Sequence, residues 1–194
     1  MKFLTTSNVN LNYNKRIWVV DNFYSDPHAV REYALRQQFA ADENWFKGNR
    51  TVEQHFVPGT KREFEKIMGV KITNWESHGM CGRFQYCTSH DSLVYHWDGQ
   101  TWAAMIYLTP NAPFECGTSL YAHKQTKVRH ESDPNSSIAF DGGFYDKTKF
   151  ELVDTVGNVF NRLFIFDAKC IHAASEYFGK TIEDSRLFHI FFFD

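Results

Sequence analysis

The chain has 194 residues, enough for one domain with a substantial buried core, and 17% of them are aromatic, 19 being Phe. That aromatic share favours strands and a thick apolar core over a helical bundle. A formal net charge of −2 excludes the basic footprint of a nucleic-acid binder and a polybasic membrane arm.

The opening residues, Met1 to Asn8, lack the apolar stretch of a secretory signal, and no run approaches bilayer length, so a soluble cytoplasmic protein is expected. Arg16 to Val20 reads as a strand. Ser25 or Asp26 as N-cap, with Pro27 at the first helical position, predicts a helix running to about Phe39. Its apolar positions Val30, Ala34, Leu35 and Phe39 recur at helical spacing, leaving Arg31, Glu32, Arg36 and Gln37 outside. Residues 42–59 carry Gly48, Pro58 and Gly59 and predict an irregular stretch with one short strand near Thr51 to Phe56. A second helix is predicted from Thr60 to Met68, stopped by Gly69.

From Val70 onward the period becomes strand-like. Strands are predicted at 70–77, 80–88, 92–97, 101–108, 117–122, 150–155, 162–167 and 186–193. Helices followed by a run of strands predict an α+β, mainly β arrangement with an antiparallel double sheet and the helices outside one sheet. One domain over 1–194 is expected, with 1–69 as N-terminal strand and supporting helices and 70–194 as the strand-rich core. Residues 124–149 are polar, with short apolar islands, and read as a lid, a substrate-contact loop or a mobile insertion. Cys81, Cys87, Cys116 and Cys170 form no C-x-x-C pair and are expected to be reduced thiols, with a Cys81–Cys87 bond left open.

The chemistry centres on Tyr95-His96-Trp97-Asp98. In an extended segment alternate side chains share a face, so His96 and Asp98 would project an imidazole and a carboxylate into one cavity, with His172 as third ligand. Two His and one carboxylate with open positions hold non-haem Fe(II) for oxygen chemistry. A His-x-Asp triplet alone is a common coincidence, so the flanking sequence has to carry the case. An apolar strand ends in Tyr107-Leu108-Thr109-Pro110, Cys116-Gly117-Thr118 opens another, and Asn161 to Asp167 leads to His172. Arg186 then begins the last strand, sharing a face with Phe188, Ile190 and Phe192. Buried on that face its guanidinium needs an anion, because an uncompensated buried charge costs about 3–5 kcal/mol, whereas at an exposed strand start it would pair with Asp184 or water.

In this order and spacing the chain resembles the 2-oxoglutarate and Fe(II)-dependent dioxygenases, in the branch similar to prolyl 4-hydroxylases. The likeness covers residues 80–194 and, more loosely, Asp21 to Leu35. Tyr-Leu-Thr stands where that family has Tyr-Leu-Asn, Cys116-Gly117 stands for Gly-Gly, and the segment before His96 is displaced. The resemblance implies a double-stranded β-helix (jelly roll, cupin-like), with His96, Asp98 and His172 as iron ligands and no catalytic residue beyond them. It implies Fe(II), 2-oxoglutarate as co-substrate, and Arg186 on the far carboxylate of that diacid, where a planar guanidinium grips through two hydrogen bonds. Tyr107, Tyr86 and Thr118 would support the co-substrate or serve as core residues. Lys180 is the competing cation, expected to be solvated. The remaining histidines have no partner at ligand spacing, and His123 and His130 border the long polar segment. The implied partners are O2 and a peptidyl side chain or small molecule, oxidised with release of succinate and CO2, and no nucleic acid or membrane. The rivals are a non-catalytic jelly-roll binding module and a cupin-like metal enzyme without a keto acid.

Overall fold

The computed structural model describes residues 16–41 and 47–194. The opening segment and residues 42–46 of the expected irregular stretch therefore lie outside the described residues. In chain order the elements are β1 (Ile17–Val20), α1 (Pro27–Leu35), β2 (Phe39–Ala41), β3 (Asn49–Thr51), α2 (Thr60–Met68), β4 (Arg83–Cys87), β5 (Trp102–Tyr107), β6 (Thr118–His123), β7 (Phe150–Val156), β8 (Leu163–Asp167), β9 (His172–Ala174) and β10 (Arg186–Phe193). They form a seven-stranded sheet, β1-β8-β5-β10-β4-β3-β2, and a three-stranded sheet, β7-β6-β9. Every pairing is antiparallel, and the fold is mainly β with few helices, consistent with a jelly roll.

The two-residue period of a strand divides the large sheet into two faces. On one face Phe84, Ala104, Ile106, Leu163, Ile165, Leu187, Phe191 and Phe193 form a core with Ala34 of α1, Phe64 and Met68 of α2, and Trp75. On the other, Ala103, Met105, Tyr107, Phe164, Phe166, Phe188, Ile190 and Phe192 meet Leu120 of the small sheet. Burial on both faces explains why β10 reads as a nearly continuous apolar run. The register Arg186↔Cys87 and Phe188↔Tyr107 puts Arg186 and Tyr107 on the face that looks at the small sheet.

The helix signals act as their chemistry requires. Asp26 Oδ1 accepts from Ala29 N at 3.0 Å, and Pro27 opens α1. Gly69, at φ 74°, ends α2 with its N–H donating to Glu65 O. The Phe64 ring packs edge-on against Phe191 at 5.2 Å and Trp75 at 5.6 Å.

Five expectations need correction. Helix α1 stops at Leu35, because the Gln37 side chain caps Tyr33 O and Phe39 leaves to become an edge strand packed on Tyr86 at 5.2 Å. Arg31 is not simply outside: its guanidinium donates to Leu108 O and Glu183 O. The short strand lies at Asn49–Thr51, and the chain beyond it is irregular, tied down by Gln54 Nε2 donating to His78 O and Cys81 O. Residues 70–77 form no strand; Asn74 is left-handed at φ 49°, and Thr73 instead exchanges backbone bonds with Asp194. Finally, 92–97 is extended but joins no ladder, meeting β9 only through a single bridge at His96.

Residues 124–149 are packed as well as polar. Val128 and Ala139 are buried with Tyr95, Phe150 and Ile171 in a third core, and short 3-10 turns occupy Ser136–Ile138 and Lys147–Lys149. Phe144 O accepts from Tyr95 N at 2.8 Å, which fixes the segment against the chain carrying His96. All four cysteines are buried free thiols, with Cys81 and Cys87 in different cores.

A buried imidazole sits in the outer-face core. His189 Nε2 donates to His55 O at 2.8 Å, so its Nδ1 accepts from Tyr24 Oη, also at 2.8 Å. Burial pulls this group down to about 3 from 6.5. Its folded pKa is depressed, so its contribution is complete above 6.5 and is lost as acid protonates the unfolded chain preferentially. We expect denaturation midpoints to fall below pH 6.5 with a component approaching about 1.4 kcal/mol per pH unit. In His189→Phe that component should vanish, while the orphaned Tyr24 hydroxyl and His55 carbonyl cost about 2 kcal/mol at neutral pH. An unchanged acid slope in the variant would show that His189 is not its source.

Candidate active site

The structure brings His96, Asp98 and His172 together, with one ligand atom from each lying within 4.8 Å of the others. His96 and His172 face each other across their bridge: His96 N donates to His172 O at 3.1 Å and His172 N to His96 O at 2.8 Å. Asp98, two residues on along the extended chain, is held by its N–H donating to Ala168 O at 2.8 Å. Its Oδ1 lies 3.5 Å from His96 Nε2 and its Oδ2 lies 3.4 Å from His172 Nε2.

Two carbonyls set the imidazole tautomers. His96 Nδ1 donates to Val94 O and His172 Nδ1 to Cys170 O, each at 2.9 Å. A carbonyl can only accept, so in each neutral ring the proton stays on Nδ1 and Nε2 presents a bare lone pair. Two lone pairs thus converge on a carboxylate whose Oδ2 is buried with no hydrogen-bond partner among the described residues. Such a donor set needs a positive charge between its members, and it fits a divalent metal. Burial pulls the His96 imidazole down, but the Asp98 carboxylate more than offsets this and leaves it raised. Burial likewise opposes charge on Asp98, and it is the neighbouring imidazoles in their protonated form that hold its carboxyl well below the usual carboxylate range, a task that falls to a cation when the rings are neutral. The 38% exposure of the His96 side chain faces a cavity of about 730 Å³.

Arg186 lines the same cavity and is only 2% exposed. It is held by neutral groups: Nε donates to Cys116 O at 3.1 Å, and Nη2 donates to Gly117 O at 3.2 Å and Thr118 Oγ1 at 2.8 Å. The guanidinium carbon stands 4.5 Å from the Phe188 ring centroid and 5.3 Å from that of Tyr107. Asp184, the alternative partner on the sequence, accepts instead from the N–H groups of Lys180 and Thr181. Tyr107 Oη and Thr118 Oγ1 are 2.9 Å apart, so these two residues and Arg186 form one buried network. A Cβ at Gly117 would meet Val156 O at 1.9 Å, so the second residue of the Cys116-Gly117 pair has to be glycine for β6 to pass this close.

One expected group is placed elsewhere, and the competing cation is solvated as expected. Tyr86 pairs with Leu187 and so lies on the opposite face of the sheet, edge-on to Phe39. Lys180 is exposed in its loop and does not line the cavity.

His130 corrects a further expectation, because a bridge to Cys170 sets it, Asp167 and Cys170 within ligand distance. Ser132 N donates to His130 Nδ1 at 3.0 Å, so Nε2 carries the proton and faces Asp167 Oδ2 at 3.3 Å. Asp167 also pairs with Arg16 Nη1 at 3.2 Å, so this cluster is a closed ion-pair network with no bare donor. His123 is likewise occupied, by Thr126 Oγ1 at 2.8 Å.

Sequence reasoning missed the cavity wall contributed by β3 and β4. Arg50, 7% exposed, directs Nε and Nη2 to Gln85 Oε1 at 2.9 and 2.6 Å, while Gln85 Nε2 donates to Lys47 O at 2.8 Å. Lys47, His78 and Tyr177 line the same space. A lone Arg in a three-residue strand carries no periodic signal by which it could have been found.

Solved structures share this fold. A prolyl hydroxylase from Trichoplax adhaerens, in complex with a hypoxia inducible factor oxygen degradation domain peptide fragment, superposes with a TM-score of 0.57 at 13% identity, covering 95% of this chain and 86% of that one. HygX from Streptomyces hygroscopicus with nickel and 2-oxoglutarate bound gives 0.56 at 11% identity over 97% and 86%. HygX with nickel, 2-oxoglutarate and hygromycin B bound gives 0.53 at 14% identity, again over 97% and 86%. The architecture is thus that of the Fe(II)/2-oxoglutarate-dependent dioxygenases. No curated protein matches the sequence. Residues 4–175 match the family described as "Family of unknown function (DUF6445)", and the chain belongs to that family.

Proposed function

We propose that the protein is an Fe(II)- and 2-oxoglutarate-dependent dioxygenase that hydroxylates a C–H bond of a peptidyl side chain or a small molecule, with 1–194 acting as one oxygenase domain. The observation that carries this reading is the convergence of two bare Nε2 atoms and an orphaned carboxylate oxygen on a cavity that also holds a buried arginine. His96 and His172 would hold the metal through Nε2 and Asp98 through its carboxylate, leaving the cavity side open. When bound, iron and keto acid supply the oxidation: O2 is consumed, 2-oxoglutarate leaves as succinate and CO2, and one oxygen atom enters the substrate C–H bond.

The chain's own residues do the rest. Arg186 grips the far carboxylate of the co-substrate, and Thr118 and Tyr107 fix the guanidinium that does so. Phe166, Phe188 and Phe192 wall the cavity and keep water from the reacting centre. The cavity volume lies in the range of small-molecule sites. The two similar proteins differ in what they hold, a peptide fragment in one and hygromycin B in the other, so the substrate could belong to either class. The only charge on the chain as a whole is a slight negative excess, which suits neither nucleic acid nor an anionic membrane, and no helix among the described residues is long and apolar enough to cross a bilayer.

Anaerobic addition of Fe(II) and then 2-oxoglutarate should produce the weak visible charge-transfer band of a chelated keto acid, and His96→Ala or Asp98→Ala should abolish it. Fe(II) binding without a response to the keto acid would favour a metal enzyme of another kind, and binding of neither would leave a binding module. Arg186→Gln should keep Fe(II) affinity and weaken 2-oxoglutarate binding by about 10- to 100-fold, the loss expected for hydrogen bonds to a charged group. Unaltered keto-acid affinity in that variant would remove Arg186 from the co-substrate site.

A further inference from the structure

The ladder that carries His172 stops inside the cavity. Bonds from Tyr121 N to Ile171 O and from Ser175 N to Gly117 O flank the β6–β9 pairing, whose register sets Ser119 against Ala173 and Thr118 against Ala174. Hydrogen-bonded and non-bonded pairs alternate in an antiparallel ladder, so Ala173 directs its N–H and C=O at β6, while His172 and Ala174 turn theirs to the other side. On that side His172 meets His96 in two bonds. The next rung, Ala174 with Val94, is not made. Val94 O is taken by His96 Nδ1 at 2.9 Å, and among the described residues nothing bonds the outward N–H or C=O of Ala174.

Ala174 is half-buried and lines the cavity together with Val94. An open rung beside a paired one is a place for an added strand, because its backbone donor and acceptor keep their full hydrogen-bonding capacity. The same geometry fixes where a side chain of that strand goes. His172 and Ala174 are two residues apart and share a face, and a residue directly opposite Ala174 puts its side chain on that face, as His96 does opposite His172. It would stand about 7 Å along the strand from the His96–His172 rung, within reach of the metal site for one side chain. Exposed Phe144 and Tyr145 on the cavity wall add aromatic surface for the flanking residues of a polypeptide.

We propose that the primary substrate is a polypeptide held as an extended strand antiparallel to β9, with both backbone groups of its target residue bonded to Ala174 and the side chain of that residue directed at the metal site. This rests on the dioxygenase reading above and narrows it. The rung requires an N–H on the target residue, which proline lacks, so hydroxylation falls on a non-prolyl side chain.

The test uses the full chain with Fe(II), 2-oxoglutarate and O2 and, as probe, a library of short end-blocked peptides of randomised sequence. Mass spectrometry locates the added oxygen, which we expect on non-prolyl residues. A responding peptide resynthesised with one N-methyl group at the oxidised residue should lose turnover about tenfold or more. N-methylation of either neighbour should change it little, because those N–H groups point away from Ala174. Ala174→Pro removes an N–H that no described residue uses, so it should keep the charge-transfer band of the keto acid and weaken peptide binding about three- to tenfold. If that variant disturbs the band, the N-methyl series decides alone. A band without oxidation of any peptide, oxidation confined to proline, indifference to N-methylation at the oxidised residue, or equal peptide binding by Ala174→Pro would overturn the proposal. Should the band itself fail to form, the dioxygenase reading falls, and the strand site is judged by retention of the same library on the immobilised protein. Weaker retention by Ala174→Pro then sustains it, and equal retention overturns it.

Discussion

Two backbone hydrogen bonds between His96 and His172 hold the site together. They set two segments 76 residues apart in sequence face to face, and the geometry of an antiparallel bridge then places the side chains of both residues on one side. Neither segment would be positioned by its own secondary structure, since one is a bare extended stretch and the other a three-residue strand. The surroundings supply the rigidity. Tyr95 N is bonded to the 124–149 segment on one side of His96, Asp98 N to Ala168 on the other, and Tyr95 stacks on Phe150 at 4.6 Å. The long polar segment is therefore part of the support for the triad as well as a border of the cavity, which explains its buried Val128 and Ala139.

The same bridge accounts for the chemical state of the two imidazoles. With each Nδ1 donating to a carbonyl two residues earlier in its own chain, neither ring can turn its proton toward Asp98 without losing a bond. The backbone thus chooses the tautomer, and the carboxylate is left facing lone pairs. Folding leaves this arrangement short of one positive charge, and the cost of leaving a buried carboxylate oxygen without a partner is the attraction a cation gains on entering.

Much of this was legible in sequence wherever a single local rule dominates. Pro27 after Asp26 and Gly69 after Met68 mark helix boundaries through φ restrictions that tertiary contacts do not override. The long central strands show themselves by apolar content, and Arg186 stands out as a charge on the inward face of one of them. What could not be read depends on partners remote in sequence. Residues 70–77 alternate like a strand, but they meet the sheet only where Thr73 exchanges backbone bonds with Asp194, and Trp75 goes instead to a stacked contact with Phe191 at 5.2 Å. Tyr86 and Arg186 were expected in one pocket, yet the antiparallel register sends them to opposite faces, and register is set by pairing partners. Arg50 and the His130–Asp167–Cys170 network are invisible for the same reason, as each is assembled by bridges between segments with no shared pattern.

How Arg186 is held bears on what the cavity can bind. A buried guanidinium is commonly stabilised by a carboxylate, which satisfies its hydrogen bonds and cancels its charge together. Here the two tasks are divided: carbonyls of Cys116 and Gly117, the Thr118 hydroxyl and two aromatic faces provide geometry without an opposite charge. Gly117 is the residue that makes this possible, since only glycine lets the chain run against Val156 O while presenting its carbonyl to Arg186. A protein carboxylate in that place would have to be displaced by any incoming diacid, and the exchange of one anion for another would yield little net affinity. Neutral acceptors keep the cation oriented and desolvated while leaving its charge to be met by an anion from outside, so that under the proposed function the energy of charge pairing would appear as binding rather than as stability of the fold.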